Sequence, residues 1–467
     1  MRRRRIVTVL LAASIANPLS CYPQTTATAT SSSGARDPGV RTGASAGKPL
    51  PGLTPGQLAL FGISQAEFNA PEEVDEGLGP RMNLDSCQGC HAYPASGGSS
   101  PASNPQVKFA NNAKKLGSTD TLPSFIMSNG PVREVRFVKA PDGSPDGGVH
   151  SLFTLQGRTD AVGCTMPQPD FAGEFANGNA IFRIPTPLFG AGLIEQIPDS
   201  AIIASQAASA PTRQAFGIRG RVNIVLAGST MSGQPNLNGN DGTAARFGWK
   251  AQNKSLLLFA GEAYNVEMGI TNELFQTERD EAPGCQYAST PNDVPNLDSK
   301  VASDMLSGIE KFAIFMRFLA PPTPSPNFPG GQWSISRGKS LFTAIGCAAC
   351  HTPTLTTGWS SVAALSQKPV NLYSDLMIHD MGPGLADGIS QGQAGPSEFR
   401  TAPLWGLGQR IFFLHDGRTS DLVVAIQQHA SGGTRTQDAS EANAVVANYN
   451  RLSQTDRQNL LNFLRSL

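Results

Sequence analysis

Histidine and cysteine are scarce in this chain, six and seven among 467 residues. Neither sign of charge is in excess: 36 Lys and Arg balance 36 Asp and Glu, so nothing favours nucleic acid or an acidic membrane surface as a partner. The apolar stretch at 6–16 falls short of the ~20 residues a membrane helix needs. It follows four arginines, and the two together read as the charged and hydrophobic regions of a secretory signal. Ser14-Ile-Ala16 suits ordinary cleavage. Leu19-Ser20-Cys21 suits a lipoprotein signal with Cys21 as the lipid-bearing residue, although Pro18 stands where such signals usually carry Leu. The expected location is periplasmic or otherwise outside the cytoplasm. Gly (49) and Pro (35) are plentiful, which predicts long ordered loops between modest helices. The length and an apolar content of 39% suffice for two or three domains with real cores.

Most of the scarce residues fall into one repeated pattern, Cys87-Gln-Gly-Cys90-His91 and Cys347-Ala-Ala-Cys350-His351. Two cysteines three apart lie on one side of a helical turn and reach both vinyl groups of one porphyrin. The next residue then sits under the iron as its proximal ligand, so each motif predicts a covalently bound haem c. A single zinc site from two Cys-x-x-Cys knuckles is the competing reading. Such knuckles normally lie within about 20 residues of each other, whereas Cys87 and Cys347 are 260 apart. A thioredoxin-like pair would leave the histidines unexplained. Setting aside Cys21 and the four motif cysteines leaves Cys164 and Cys285, which in an oxidising compartment most simply form one disulfide. Two buried free thiols are the alternative.

Organisation follows from composition and periodicity. Residues 1–21 read as the signal and 22–53 as a flexible linker rich in Thr, Ser, Ala and Gly. A first haem domain is expected over 54–319, with helices at 57–70 and 72–77 leading to the first motif and another starting at Pro198. An alternating strand at 132–138 is expected to pair with 150–155 across a turn at 141–148. An amphipathic helix is expected over 300–319. The Pro-rich stretch 320–332 reads as a linker, and a second haem domain follows over 333–467. There a helix at 336–344 runs into the second motif, and a last helix at 453–467 is capped by Ser453 with Asp456 three residues on. The halves echo each other weakly, at Trp249-Lys-Ala-Gln-Asn-Lys-Ser-Leu256 and His415-Asp-Gly-Arg-Thr-Ser-Asp-Leu422. The predicted fold class is mainly α, with two cytochrome c-like domains, the first enlarged by loops and a small β-hairpin.

With His91 and His351 used as proximal ligands, His150, His379, His415, His429 and ten methionines remain for the opposite faces of the irons. An iron with both axial positions filled transfers electrons, and one with an open position can activate a small oxidant such as peroxide.

Several segments, in this order along 54–467, resemble the bacterial di-haem cytochrome c peroxidases and their relative MauG, which matures tryptophan tryptophylquinone. They resemble most the branch of di-haem oxidoreductases labelled peroxidase or thiol oxidoreductase-like. The segments are Gly77-Leu-Gly-Pro-Arg-Met-Asn-Leu-Asp-Ser-Cys-Gln-Gly-Cys-His91, Pro187-Leu-Phe-Gly-Ala-Gly-Leu-Ile-Glu195, Arg246-Phe-Gly-Trp-Lys250, Glu267-Met-Gly-Ile-Thr271, His379-Asp-Met-Gly-Pro-Gly-Leu-Ala-Asp387 and Phe399-Arg-Thr-Ala-Pro-Leu-Trp405.

The resemblance implies roles. In the peroxidases the distal ligand of the C-terminal haem lies fourteen residues after a His-Asp-Gly, and fourteen from His415 is His429. That haem would be bis-His and of lowered potential, since Met ligation raises it; Met381 is the alternative ligand. Trp249 corresponds to the tryptophan bridging the haems, although Asp-Gly-Arg after it is replaced by Lys-Ala-Gln; a packing Trp is the plain alternative. Glu267 corresponds to the acid that takes a proton from bound peroxide and returns it to the leaving oxygen. The Gln that precedes that acid in the peroxidases is absent from Leu256-Leu-Leu-Phe259, and a solvated helical Glu is the competing reading. His379 and His415 would be hydrogen-bonding groups and not ligands. The peroxidases bind calcium through Thr-x-Pro before His-Asp-Gly; Arg410-Ile-Phe412 stands there, so calcium is not carried over. The implied activity is reduction of peroxide or oxidation of another substrate, with a small cytochrome or cupredoxin as electron donor. Two other readings compete. One is a di-haem electron carrier, with His150, Met82, Met166 or Met231 closing the first iron. The other is a thiol oxidoreductase using Cys164 and Cys285.

Overall fold

Thr54 starts the first helix by a reciprocal cap: its hydroxyl accepts the Gln57 amide N–H while the Gln57 side chain accepts the Thr54 N–H. Pro55 takes the first helical position, where its missing N–H costs nothing, and the helix runs Pro55–Asn69. In this computed structural model, residues 34–42, 45–224, 230–231, 234–235 and 244–467 are described. Cys21 and the signal segment lie outside them, and so does the Met231 side chain. Among the described residues no helix is long and apolar enough to cross a membrane.

The chain is mainly helical, with short two-stranded ladders between helices. The Pro55–Asn69 helix packs on Gly308–Phe318, joined by Phe61–Phe315 and Phe68–Phe315 ring contacts at 5.5 and 4.7 Å. The second of these helices is shorter than the expected 300–319. Ser307 and Glu310 form a capping box, and Asp293 accepts the N–H groups of Gly308 and Ile309, so the helix begins only there. Ala302–Met305 is a 3-10 turn, and Val301 is more than half exposed. Residues 72–77 likewise hold only the 3-10 turn Val74–Glu76.

The strand pairing differs from expectation. Glu134–Phe137 does form, but its ladder partner is Ala180–Arg183, with Glu134 opposite Arg183 and Phe137 opposite Ala180. The returning segment meets it at isolated antiparallel bridges, Arg136 with Val149 and Lys139 with Pro145, with Gly147 N–H to Phe137 O and His150 N–H to Val135 O both at 2.8 Å. Phe153–Thr154 pairs instead with Arg81–Met82. Two side chains hold it there. Asn83 Oδ1 accepts Leu152 N–H at 2.9 Å, and Asp120 accepts both the N–H and the hydroxyl of Thr154.

In the C-terminal half, Gly331–Ala344 lies against Gln454–Ser466. The contact requires Gly338, since a Cβ there would meet Asn459 O at 2.1 Å. Ser334 donates to Asn459 Oδ1 at 2.7 Å across the same contact. Ser453 caps the last helix by accepting Asp456 N–H. Phe342, Tyr373 and Phe463 close a second, smaller core.

The two stretches read as linkers run along each other. Ala320 N–H donates to Lys48 O, Thr323 N–H to Ser45 O and Ser325 Oγ to Thr42 O. Leu50 and Leu53 enter the main core. Asp37 is clamped by Arg465 through two 2.6 Å contacts.

Candidate functional site

Both Cys-x-x-Cys-His segments fold into the same small device. Cys87–Cys90 is one helical turn and Cys347–Ala349 a 3-10 turn, and in each the His N–H donates back to the first Cys carbonyl, at 3.0 and 2.9 Å. His91 Nδ1 bonds Gly98 O at 2.9 Å and His351 Nδ1 bonds Tyr373 O at 3.0 Å. In each ring Nδ1 is thus engaged by a backbone carbonyl, and among the described residues Nε2 of His351 has no bond of its own. A phenylalanine from the preceding helix flanks each imidazole: Phe68 at 6.1 Å from His91 and Phe342 at 6.4 Å from His351. Burial pushes both imidazoles down to about 4, so they are neutral at physiological pH, as a ligand must be.

Each device opens on its own cavity. Cys87, Cys90 and His91 line one of about 1120 Å³, and Cys347, Cys350 and His351 one of about 1420 Å³, open mouths included. The cysteine pairs therefore do not combine into one zinc site, and all four are unpaired. Among the described residues no three or more His, Cys, Asp or Glu side chains group to hold a metal ion.

The cavities differ in what else enters them. His429, just past the helix Leu422–Gln428, lines the C-terminal cavity. Its Nδ1 bonds Ala425 O at 2.7 Å, so Nε2 is the free nitrogen, and burial lowers its pKa. His351 lines the same cavity, and after burial the charge of His429 is the largest influence lowering its pKa. Met381 lines the same cavity. His379 and His415 line this cavity too, and His379 Nδ1 lies 3.6 Å from Cys350 Sγ, but both rings are engaged by other partners. His379 bonds Glu441 at 2.8 Å and Asp375 at 3.0 Å, and His415 stacks on Phe399 at 4.3 Å.

No second histidine lines the N-terminal cavity. His150 stacks on Phe137 at 3.8 Å and bonds Asp146 at 2.9 Å, and Met82 and Met166 are also absent from the wall. Met268 and Met316 do line it, and neither was singled out in the sequence. Glu267, at the end of the Leu256–Met268 helix, lines this cavity within a buried network and is no solvated helical residue. Asn83 Nδ2 donates to it at 2.6 Å, and it hydrogen-bonds Glu134, which pairs with Arg136 at 2.5 Å. Burial and the Glu134 charge push Glu267 well above the carboxylate range. Burial works the same way on Glu134, but the Arg136 charge and the Glu267 hydrogen bond outweigh it and hold Glu134 at about 2. Of the two carboxyls, Glu267 is therefore the one that favours its proton. Sequence reasoning missed Asn83, Glu134 and Arg136.

Trp249 is a wall of both cavities. It sits in a loop closed by a Phe247–Asn253 bridge, and His415 sits at the same place in a loop closed by a Phe413–Thr419 bridge. The echo between the halves is thus a matching pair of loops. The two rings lie 6.4 Å apart, edge to face. Trp249 Nε1 donates to Ile184 O, and Ile184 N–H donates to His415 O, both at 2.8 Å. Lys250, next in the chain, pairs with Asp387 at 3.1 Å and lies 4.1 Å over the Phe399 ring. Arg183, also in the N-terminal cavity wall, meets the same Asp387 at 2.6 Å. Away from both cavities, Cys164 and Cys285 form a disulfide, Cα–Cα 4.5 Å, with both residues buried.

Two cavities of matching construction that share one tryptophan wall are the layout of a two-centre redox protein. Residues 156–467 match the family described as "Di-haem oxidoreductase, putative peroxidase", and the chain belongs to that family. The match takes in Trp249, Glu267, the second motif and His429; the first motif precedes it. No curated protein matches the chain. Among solved structures, a chain of hydrazine synthase from Kuenenia stuttgartiensis, pressurised with xenon, is similar at 16% identity with a TM-score of 0.23. The likeness covers 45% of this chain and 60% of that one.

Proposed function

We propose that this protein is an exported di-haem enzyme whose two centres divide the work. His351 and His429 would hold a C-terminal haem for electron uptake, and His91 would hold an N-terminal haem beside Glu267, where peroxide would be reduced. The supporting observation is the inequality of the cavities: an imidazole shares the cavity of His351, whereas a protonated carboxyl shares that of His91.

The residues suit the group. Cys87 and Cys90, and likewise Cys347 and Cys350, are unpaired thiols one turn apart, each pair followed by a neutral imidazole at the mouth of an apolar cavity. The haems, when bound, supply redox-active iron, able to take up electrons at one centre and reduce peroxide at the other. The chain supplies the rest. Glu267 stores a proton for the leaving oxygen, and Asn83 fixes the orientation of its carboxyl. Glu134 stays ionised against Arg136 and accepts the hydrogen bond of Glu267, which keeps the stored proton on Glu267. Trp249, held by Ile184, fills the wall between the centres and provides electronic coupling. In this reading 54–319 and 333–467 are two cytochrome c-like domains, residues 1–21 direct export, and Cys21 carries a lipid if the lipoprotein form is used. The electron donor is a small cytochrome or cupredoxin.

A second reading, a di-haem electron carrier, draws on Met268 and Met316 in the N-terminal cavity wall. The ferric optical and electron paramagnetic resonance spectra, with and without cyanide, separate the two. The enzyme requires one low-spin and one high-spin haem, the high-spin signal shifting on cyanide. Two low-spin haems that remain so on half-reduction mean the carrier.

A further inference from the structure

We infer that Arg400 and Arg410 form a carboxylate-binding clamp for the propionates of the haem in the C-terminal cavity, joining that edge of the haem to the backbone of Trp249. The inference rests on the two-haem reading above.

Both arginines line the C-terminal cavity, and both also line a small cavity of about 530 Å³ whose wall includes Trp249. They come from separate elements: Arg400 ends the strand Glu398–Arg400, and Arg410 follows the 3-10 turn Leu407–Gln409. Arg400 is buried and Arg410 half-buried, and among the described residues neither has a counter-charge at contact. Other buried arginines in the chain have an acid at contact: Arg183 has Asp387, Arg136 has Glu134, Arg465 has Asp37 and Arg213 has Asp375. Among the described residues Arg400 and Arg410 form no ion pair, and the one bond from either guanidinium is Arg400 Nε to Gly248 O at 2.9 Å. Burial pushes both down to about 10, and the charge of Arg410 adds to the effect on Arg400.

Two adjacent cations facing an apolar cavity with no anion are costly, because a buried charge is tolerated when it is paired. The pair therefore marks the place of an anionic ligand that arrives with whatever fills the cavity. Guanidinium forks match carboxylates in two-point geometry, and a haem in this cavity carries two carboxylates on one edge. Arg400 extends the link. Its backbone N–H donates to Trp249 O at 2.8 Å and its Nε to Gly248 O, so a carboxylate held by Arg400 is one residue removed from the bridging tryptophan. A small free anion would satisfy the same cations, and the test has to tell the two apart.

The experiment is a spectroelectrochemical titration of the holoprotein, with haem content measured first. Fewer than two haems per wild-type chain would end the two-haem reading itself, whatever the arginines do. With two haems present, removing a positive charge beside one of them stabilises its ferric state. Arg410→Gln should therefore shift the oxidation equilibrium of the low-spin haem at least tenfold toward the ferric form, about 59 mV for one electron, and leave the other haem unmoved. Arg410→Lys should recover most of the shift. In the wild type, the propionate bending bands in the resonance Raman spectrum should respond to Arg410→Lys. The wild-type potential should not change when chloride replaces acetate at constant ionic strength. An oxidation equilibrium in Arg410→Gln that moves less than tenfold from wild type overturns the proposal. So does a wild-type potential that follows the identity of the free anion.

Discussion

Glu267→Gln isolates the proton role of one side chain at little structural cost. The amide has the same shape as the protonated carboxyl: its oxygen can still accept from Asn83 Nδ2, now at 2.6 Å, and its NH₂ can still donate to Glu134. The Glu134–Arg136 pair is untouched, so stability should change by under ~1 kcal/mol. Lost is a transferable proton next to the reacting oxygens, a role worth about 10²- to 10⁴-fold in rate, or roughly 3–5 kcal/mol of barrier. Stopped-flow mixing of half-reduced protein with peroxide measures it, with cyanide affinity as the control for access to the iron. pH gives a second readout. Glu267 must hold its proton, so the wild-type rate should fall as pH rises through its raised pKa. In Glu134→Gln the neighbouring negative charge is gone, Glu267 is less strongly raised, and the alkaline fall should begin at lower pH. A Glu267→Gln rate within threefold of wild type, with normal cyanide binding, would refute the reasoning.

Other outcomes follow from the same geometry. His429→Ala should convert the C-terminal haem from low spin to high spin in its ferric spectrum; an unchanged low-spin signal would transfer the ligand role to Met381. The disulfide closes a loop of 121 residues, which on chain-entropy grounds corresponds to about 5 kcal/mol. Replacing Cys164 and Cys285 with Ser should lower the unfolding free energy, measured by denaturant titration, by an amount of that order and leave peroxide turnover intact in the folded protein. Loss of turnover at full stability would revive the thiol oxidoreductase reading. Trp249→Phe removes the bond to Ile184 O, costing about 1 kcal/mol, and should slow electron exchange between the haems with little change in either potential, as flash-photolysis of the half-reduced protein would show.

The two Cys-x-x-Cys-His turns were legible because each is complete within five residues. That His429 enters the cavity of His351 was anticipated through the family resemblance, which pointed fourteen residues past His415. The proton pair was not. Asn83 and Glu267 are 184 residues apart and Glu134 lies on a third segment, so only the folded chain brings them together. The strand at 132–138 was visible in its alternation, but its partner was decided by Asn83 and Asp120 gripping residues 152–154, which no periodicity reveals. The start of the Gly308–Phe318 helix lay in plain view as Ser307-x-x-Glu310; apolar spacing alone had drawn it too long. Arg410 was noticed only as a residue that does not bind calcium. Its lack of a partner is visible only where the other buried arginines have theirs.

Asp37 gives the chain a mechanical property. Its carboxylate takes Arg465 near the last residue and also the N–H of Leu422, the first residue of the helix that ends beside His429. Tension applied along residues 35–42 is thus delivered to the root of that helix and to the C-terminal helix together, and not dissipated in a slack loop. Proteolytic trimming past Asp37 would free both at once, loosening the His429 segment with every haem-attachment residue still in place.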